Sequence, residues 1–457
     1  MKKYEADVIK SMPMFMLIFI ASASILGAFN IISPQLMIEF DIGFSTVSLL
    51  AMVGILVIGI ASVVYSTLSD NISIRKLMLI GIGLFNVGAV LALVSSYINF
   101  YLFVVAVALM VFGGTCGSGL MIVTVTKYLS EENQAKYYGY NTACVGVSQA
   151  VGILAGGFIA TYIGWRALFF LPFISLITIS VIKKYVPDEK VFAKGKLDVI
   201  GLGLFALFTL LISLFFNLSK VSLLVLSLVL IVLFFIYISK NEKAFINIEF
   251  FKNKNFVVII LLALVIFGLQ SAFSFLFPFM AQGVYNLSLD KVSMILLPSF
   301  LCAALIGANS GKVVDKLGCF KTLLLAILLA VFSSIIAALS VDKGIIMLGV
   351  VAALYAGSFA LMYSPFIKLV IGTLQMHQVG VGIGFFNLMT GIGPSLLIAI
   401  TGKMLSMPEL QANLGLVTSK GALFSNILLI YAALLAISFV VLFLNKKSYD
   451  KEQVIQA

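Results

Sequence analysis

Two acids, Glu39 and Asp41, follow Pro34 at the end of a long apolar run, in the segment Leu36-Met37-Ile38-Glu39-Phe40. A carboxyl group among apolar neighbours is held toward its neutral form and can then trade a proton near physiological pH. Glu39, with Asp41 second, is therefore the expected carrier of an exchangeable proton, and a solvated helix end is the alternative reading. Asp290, Asp342 and Glu409 sit in connecting segments and read as solvated. Asp70 and Arg75 share a short basic turn, Ser66 to Lys76, where an acid beside a base can clamp helix ends, and Asp315 stands in a similar turn, Gly311 to Gly318. The other polar groups inside apolar runs are amides: Asn30, Asn141, Gln149, Gln270, Asn309 and Asn387. A buried amide is costly without a partner, so each should face another helix or a watered cavity. Phe29, Tyr140, Phe273 and Phe386 lie within a turn of these amides and would suit flat, amphipathic ligands, with packing or lipid contact as the alternative for each.

Other chemistries find no residues. The four cysteines, Cys116, Cys144, Cys302 and Cys319, lack paired spacing, so neither a disulfide framework nor a zinc site is indicated. The lone His377, in Gln375-Met376-His377-Gln378, reads as a loop residue without a coupling role. No G-x-x-x-x-G-K-[ST] phosphate loop occurs, so ATP is excluded as the direct energy source and an ion gradient must supply the work. No cofactor and no metal are called for.

The elements that must position these residues follow from composition. Of 457 residues, 62% are apolar and 10% charged, against about a quarter charged in soluble domains. This is a membrane protein, and a soluble enzyme is excluded. The net charge of +11 lies in loops rather than on one soluble face, so nucleic acid is not an expected partner. Spans are expected near 12–34, 44–67, 77–96, 100–126, 137–160, 165–183, 199–217, 221–239, 255–279, 291–311, 321–340, 344–371, 380–404 and 423–444. The first is too long for a signal-peptide core. With an even count and the N-terminus inside, only Arg166, Lys220, Lys291, Lys343, Lys403 and Lys420 face outward, which leaves 23 of the 29 basic residues in the cytoplasm. Cytoplasmic loops carry such an excess, so both termini are expected there.

The two basic turns, after spans 2 and 10, form a weak internal repeat. They divide the chain into six-helix bundles at 1–184 and 241–457, with helices 7 and 8 inserted at 185–240. Duplicated bundles around a mid-membrane site are the plan of a transporter. Gly146, Gly152, Gly156 and Gly157 in span 5 permit close helix contact, expected against a helix of the other bundle, where it would close one face of a central cavity.

Several segments resemble a known family. Leu68-Ser69-Asp70 with Arg75-Lys76 resembles the loop motif of the major facilitator superfamily, with Ser66 and Ser73 where glycines are usual. Asn30 with Ser33-Pro34, the span-5 glycines, Trp165-Arg166 with Phe169, and Leu197-Asp198 with Gly201 resemble the fourteen-span drug/proton antiporters. The likeness to Gram-positive tetracycline and multidrug efflux proteins is strongest along Thr67 to Lys76, Phe359 to Pro365 and Val379 to Gly384. The resemblance implies an all-α fold of two six-helix bundles plus two inserted helices, in the bacterial plasma membrane. It implies proton-coupled export, by a monomer working through alternating access, of amphipathic drugs of fluoroquinolone, dye or tetracycline type. Asp70, Arg75 and Asp315 are then a conformational latch. A dedicated tetracycline-metal/proton antiporter, or a transporter of a metabolite or lipid precursor, is the alternative. A receptor or scaffold without transport would need a soluble domain or long loops, which are missing. The chain also departs from the pattern. Val107 stands where the antiporters carry a span-4 arginine, Gly152-Ile153 replaces Gly-Pro, and Gln149 replaces an acid found in some tetracycline exporters.

Overall fold

The computed structural model describes residues 4–188, 198–241, 244, 246, 248–375 and 378–446. Among these residues fourteen helices are long and apolar enough to cross a membrane. In chain order they are α1 (Glu5–Glu39), α2 (Phe44–Leu68), α3 (Ile74–Ser95), α4 (Phe100–Tyr128), α5 (Glu131–Tyr162), α6 (Trp165–Tyr185) and α7 (Val199–Leu218). There follow α8 (Val221–Lys240), α9 (Lys254–Tyr285), α10 (Leu289–Leu317), α11 (Cys319–Ser340), α12 (Ile345–Gly372), α13 (Val379–Leu405) and α14 (Ala422–Leu444). In an apolar medium each backbone N–H and C=O must be satisfied within its own segment, which is why such runs are helical. At 1.5 Å per residue the 32 residues of α5 reach about 48 Å, longer than a hydrocarbon core of about 30 Å. Its polar first turns therefore extend past the apolar stretch.

The chain forms two compact units. Unit 1 takes Met1–Ile32 and Val53–Leu197; unit 2 takes Ser33–Met52 and Asp198–Ala457. The helices expected as an inserted pair at 185–240, α7 and α8, fall within unit 2. Phe205 of α7 packs on Phe234 of α8 at 5.0 Å and on Phe385 of α13 at 6.0 Å. The start of α2 belongs there too: Ser45 Oγ donates to the Asn217 carbonyl at 2.8 Å, and the Asn217 amide donates to the Ser45 carbonyl.

Unit 1 has an apolar core at its lysine-rich end, built from Val8, Met12 and Phe15 of α1, Tyr65 of α2, Leu77 of α3, Leu120 of α4 and Ile182 of α6. Outside that cluster a buried amide joins α3 to α6, Asn86 Nδ2 donating to Ser175 Oγ at 2.9 Å. Higher up, α1 and α5 meet along small residues. Ser24 Oγ donates to the Ser148 carbonyl at 3.1 Å, and a methyl group on Gly156 would stand 2.8 Å from Ala28 Cα. In unit 2, α9 and α13 meet in the same way, where a methyl on Gly268 would stand 2.8 Å from the Gly393 carbonyl. Gly27 and Gly268 are 241 positions apart, as are Gly152 and Gly393. The duplication is thus built into the helix seams, at the same spacing in both units.

Candidate functional site

The span-5 glycines fasten α5 within unit 1. Gly152 lies against Ser24 and Gly156 against Ala28, both on α1, so the expected contact with a helix of the other bundle is corrected to a seam inside one unit. Gly157 is buried as well, whereas a methyl on Gly146 would meet nothing within 4 Å. The seam sets a register: Glu5 bonds Ser130 and Ser24 bonds Ser148, separations of 125 and 124 residues, so α1 and α5 run parallel without slippage. On that register Asn30 lies about 9 Å beyond Ser24 and Asn141 about 10 Å before Ser148. Gln149 sits between them, its Oε1 3.7 Å from where a methyl on Gly27 would be. The amides of α1 and α5 are therefore a ladder roughly 20 Å long and not a single cluster. The Oδ1 atoms of Asn30 and Asn141 are buried without a hydrogen-bond partner among the described residues, as is Oε1 of Gln35, which the sequence reading passed over. An unsatisfied buried acceptor costs about 1–3 kcal/mol, so each is a position where a donor carried by a ligand would gain.

The aromatic residues expected around the amides divide differently. Phe29 is fully buried against Phe103 at 6.1 Å and Phe169 at 6.0 Å, in the core of unit 1. Phe273 stacks on Tyr355 at 4.1 Å, and that tyrosine donates its hydroxyl to the Leu269 carbonyl. Phe386 is fully buried among Phe267, Tyr363 and Phe366. These three rings pack among other aromatic side chains, the reading given as the alternative for each. Tyr140 is 42% exposed, edge-on to Tyr137, with the Lys136 ammonium 5.8 Å from its ring. In unit 2, Gln270 is half-buried, while Asn309 and Asn387 are exposed on α10 and α13. Asn309 binds its own helix through Leu305 O at 2.9 Å and accepts from Lys312 Nζ at 3.0 Å.

The acids also move from their expected settings. Glu39 ends α1 exposed, Asp41 is exposed in the following turn with φ 50°, and Ile38, just before Glu39 in the helix, is 75% exposed. The apolar surroundings expected of Glu39 are not there. Asp70 is exposed as well, and Arg75 turns away from it to donate Nε to the Val186 carbonyl at 2.6 Å. The acid that engages this turn is Asp188, whose Oδ1 accepts from Ser73 Oγ at 2.5 Å. That hydroxyl, with Lys76 and Arg75 nearby, holds the Asp188 carboxyl below the usual carboxylate range. In unit 2, Asp315 pairs with Lys368 Nζ at 3.3 Å, joining the ends of α10 and α12. His377 lies outside the described residues.

Two acids that sequence reasoning left aside are buried. Asp290, read as a solvated loop acid, is 8% exposed in the first turn of α10. Glu5 is 2% exposed, with Oε1 accepting from Ser130 N at 2.9 Å, Ser130 Oγ at 2.5 Å and Asn133 Nδ2 at 2.8 Å. The available sequence signal for Glu5 was a polar helix start, which does not distinguish a buried anchor from a solvated end.

Set against known proteins, residues 14–398 match the family model of the Major Facilitator Superfamily. The riboflavin transporter RibZ of Clostridioides difficile (strain 630) is 24% identical over 366 residues, 78% of this chain and 79% of its own. The quinolone resistance protein NorB of Staphylococcus aureus (strain COL) is 23% identical over 427 residues, 90% of each chain. Among solved structures, a bacterial homolog to the human lysosomal transporter Spinster, inward-facing and unoccupied, superposes with a TM-score of 0.69 over 99% of both chains at 13% identity. That likeness is one of fold.

Proposed function

Since the chain belongs to the major facilitator superfamily, and is thereby a multi-pass membrane transporter and not an enzyme, we propose that it is a proton-coupled multidrug exporter. Its cargo is flat, amphipathic and neutral or zwitterionic, such as a fluoroquinolone. The observation that carries this reading is the relationship to a quinolone resistance protein over 90% of both chains. The polar chemistry of the helices supports it. Among the described residues the acids of the membrane-spanning helices stand in terminal turns, as Glu5, Glu39, Asp290 and Asp315 do, while amides occupy the interior. A permanent dication needs a carboxylate partner in low dielectric, and a neutral or zwitterionic ring system does not. The exporter works in the bacterial plasma membrane with both termini in the cytoplasm.

Energy enters as protons. Glu39, with Asp41 as second, is the proposed exchange site, and the exposure of both carboxylates supports access from the aqueous side. Competition between proton and cargo for the two access states couples the fluxes. A membrane potential adds about 2.3 kcal/mol per charge per 100 mV. A second reading, transport of a flat heteroaromatic metabolite, is favoured by the relationship to a riboflavin transporter over 78% of this chain.

Inverted proteoliposomes with an imposed pH gradient separate the readings. Uphill accumulation of norfloxacin, lost in Glu39→Gln/Asp41→Asn while downhill equilibration persists, is the expected result. Accumulation of riboflavin without norfloxacin replaces the first reading by the second. If the doubly neutral protein still pumps, coupling resides elsewhere.

A further inference from the structure

Helices α1 and α5 touch in two places. One is the small-residue seam, where Ser24 and Ala28 meet Ser148, Gly152 and Gly156. The other is at the lysine-rich end, where the buried Glu5 carboxylate accepts bonds from three donors on Ser130 and Asn133. Along either helix the two places are roughly 28 Å apart. Glycine and alanine surfaces are smooth and, by themselves, leave two rods free to slide or to pivot about their crossing. A second fastening at that distance removes both freedoms.

The chemistry at Glu5 is suited to such a fastening. Ser130 is the N-cap of α5, and its own side chain makes no capping bond to the helix. Glu5 supplies a cap from another helix: its carboxylate takes the Ser130 N–H at the positive end of the α5 dipole. Bonds from three donors converge on one carboxylate oxygen, and burial keeps water from competing. The edge-on contact of Tyr4 with Tyr128, centroids 6.2 Å apart, covers the same corner.

We propose that Glu5 is a positioning residue that locks the register of α5 on α1, so that the two helices travel as one body through the transport cycle. The consequence is functional. Asn30 rides on α1, Asn141 and Gln149 on α5, and a locked register keeps this ladder of amides in one arrangement while access changes sides. The inference rests on the exporter reading only for its turnover measurement; its structural half is independent of the cargo.

The test uses spin labels at the exposed positions Asp7 and Glu132, in the full chain with Cys302 and Cys319 replaced. The expected result is a narrow distance distribution that broadens in Glu5→Ala and stays narrow in Glu5→Gln, which keeps an acceptor oxygen. Ser130→Ala/Asn133→Ala removes the side-chain donors without touching α1 and should broaden it as well, which guards against misfolding of the Glu5 variant. In transport, Glu5→Ala is expected to lower turnover about tenfold or more with little change in KM, since ground-state contacts with cargo are unaltered. An unchanged distribution in both Glu5→Ala and the donor double variant overturns the proposal. So does a loss that appears in KM alone. If no cargo is moved even by the wild type, the exporter reading fails and the distance measurement still decides on Glu5.

Discussion

A hydroxyl that donates to a carboxylate, as Ser73 does to Asp188, favours the ionised acid, and the nearby charges of Lys76 and Arg75 act in the same direction. Because the folded value is depressed, the contribution of Asp188 is fully present above the ordinary carboxylate value of about 3.9 and is lost as pH falls through the lower native one. Between pH 7 and pH 5 the turn should therefore behave as if pH did not matter. The wild type is expected to show flat hydrogen-exchange protection of the Ser73 to Lys76 amides over that interval, once intrinsic exchange is corrected for. Asp188→Asn should raise exchange there several-fold at pH 7, with Asp70→Asn as the comparison that leaves it unchanged. A larger effect from Asp70→Asn would return the acid's role in this turn to that residue. The turn also shows what a sequence conveys at this scale. Asp70 and Arg75 are five positions apart and invite pairing, yet Ser73 meets its acid across 115 positions. Glu39 has apolar neighbours in the chain and none of the burial they promised, because consecutive side chains on a helix point in different directions.

At the scale of helices, close approach is set by what is missing from the side chain. In unit 1 a methyl on Gly152 would overlap the Ser24 backbone, and in unit 2 one on Gly393 would overlap that of Leu264. Forcing a larger group into a packed seam costs about 1–3 kcal/mol and sometimes more. Gly152→Leu and Gly393→Leu should therefore each lower the thermal midpoint of detergent-solubilised protein by several degrees. Gly146→Leu, with open space before it, should leave the midpoint nearly unchanged. Equal losses at all three positions would show that the cost does not come from the seams, since leucine exceeds glycine in helix propensity. The glycine spacing of α5 was legible in the sequence as a packing surface, but its partner was not. A pattern on one helix says which face is small and nothing about which neighbour takes it. The matching seam of α9 and α13 went unread because Gly268 stands alone among large residues, and Gly393, though it follows Gly391, has no glycine four positions away to mark a packing face. The fourteen spans were readable throughout, since apolar length is a property of each segment by itself.

For the whole molecule the remaining physical quantity is its direction in the bilayer, and charge decides it. If each of the fourteen helices found among the described residues crosses once, both ends of the chain fall on one side. The same count would put Lys10, Arg75, Lys127, Lys184, Lys316, Lys368 and most of the other cations on that side, and Arg166, Lys220, Lys291, Lys343, Lys403 and Lys420 on the opposite one. Reversing the protein would carry the 23 basic residues of the crowded side outward against the membrane potential, at about 2.3 kcal/mol per charge per 100 mV. The segments bearing them are short enough for the positive-inside bias to act during insertion. Single cysteines placed at the exposed positions Lys184, Lys343 and Lys420, with Cys302 and Cys319 replaced and the buried Cys116 and Cys144 kept, report the outcome in whole cells. An impermeant maleimide is expected to label positions 343 and 420 and to reach 184 only after the cells are opened. Labelling of 184 in intact cells, with 343 and 420 protected, would mean the lysine-rich end faces outward. Glu39 and Asp41, which share the side of Lys343, would then face the cytoplasm, and a proton taken up there could not drive export.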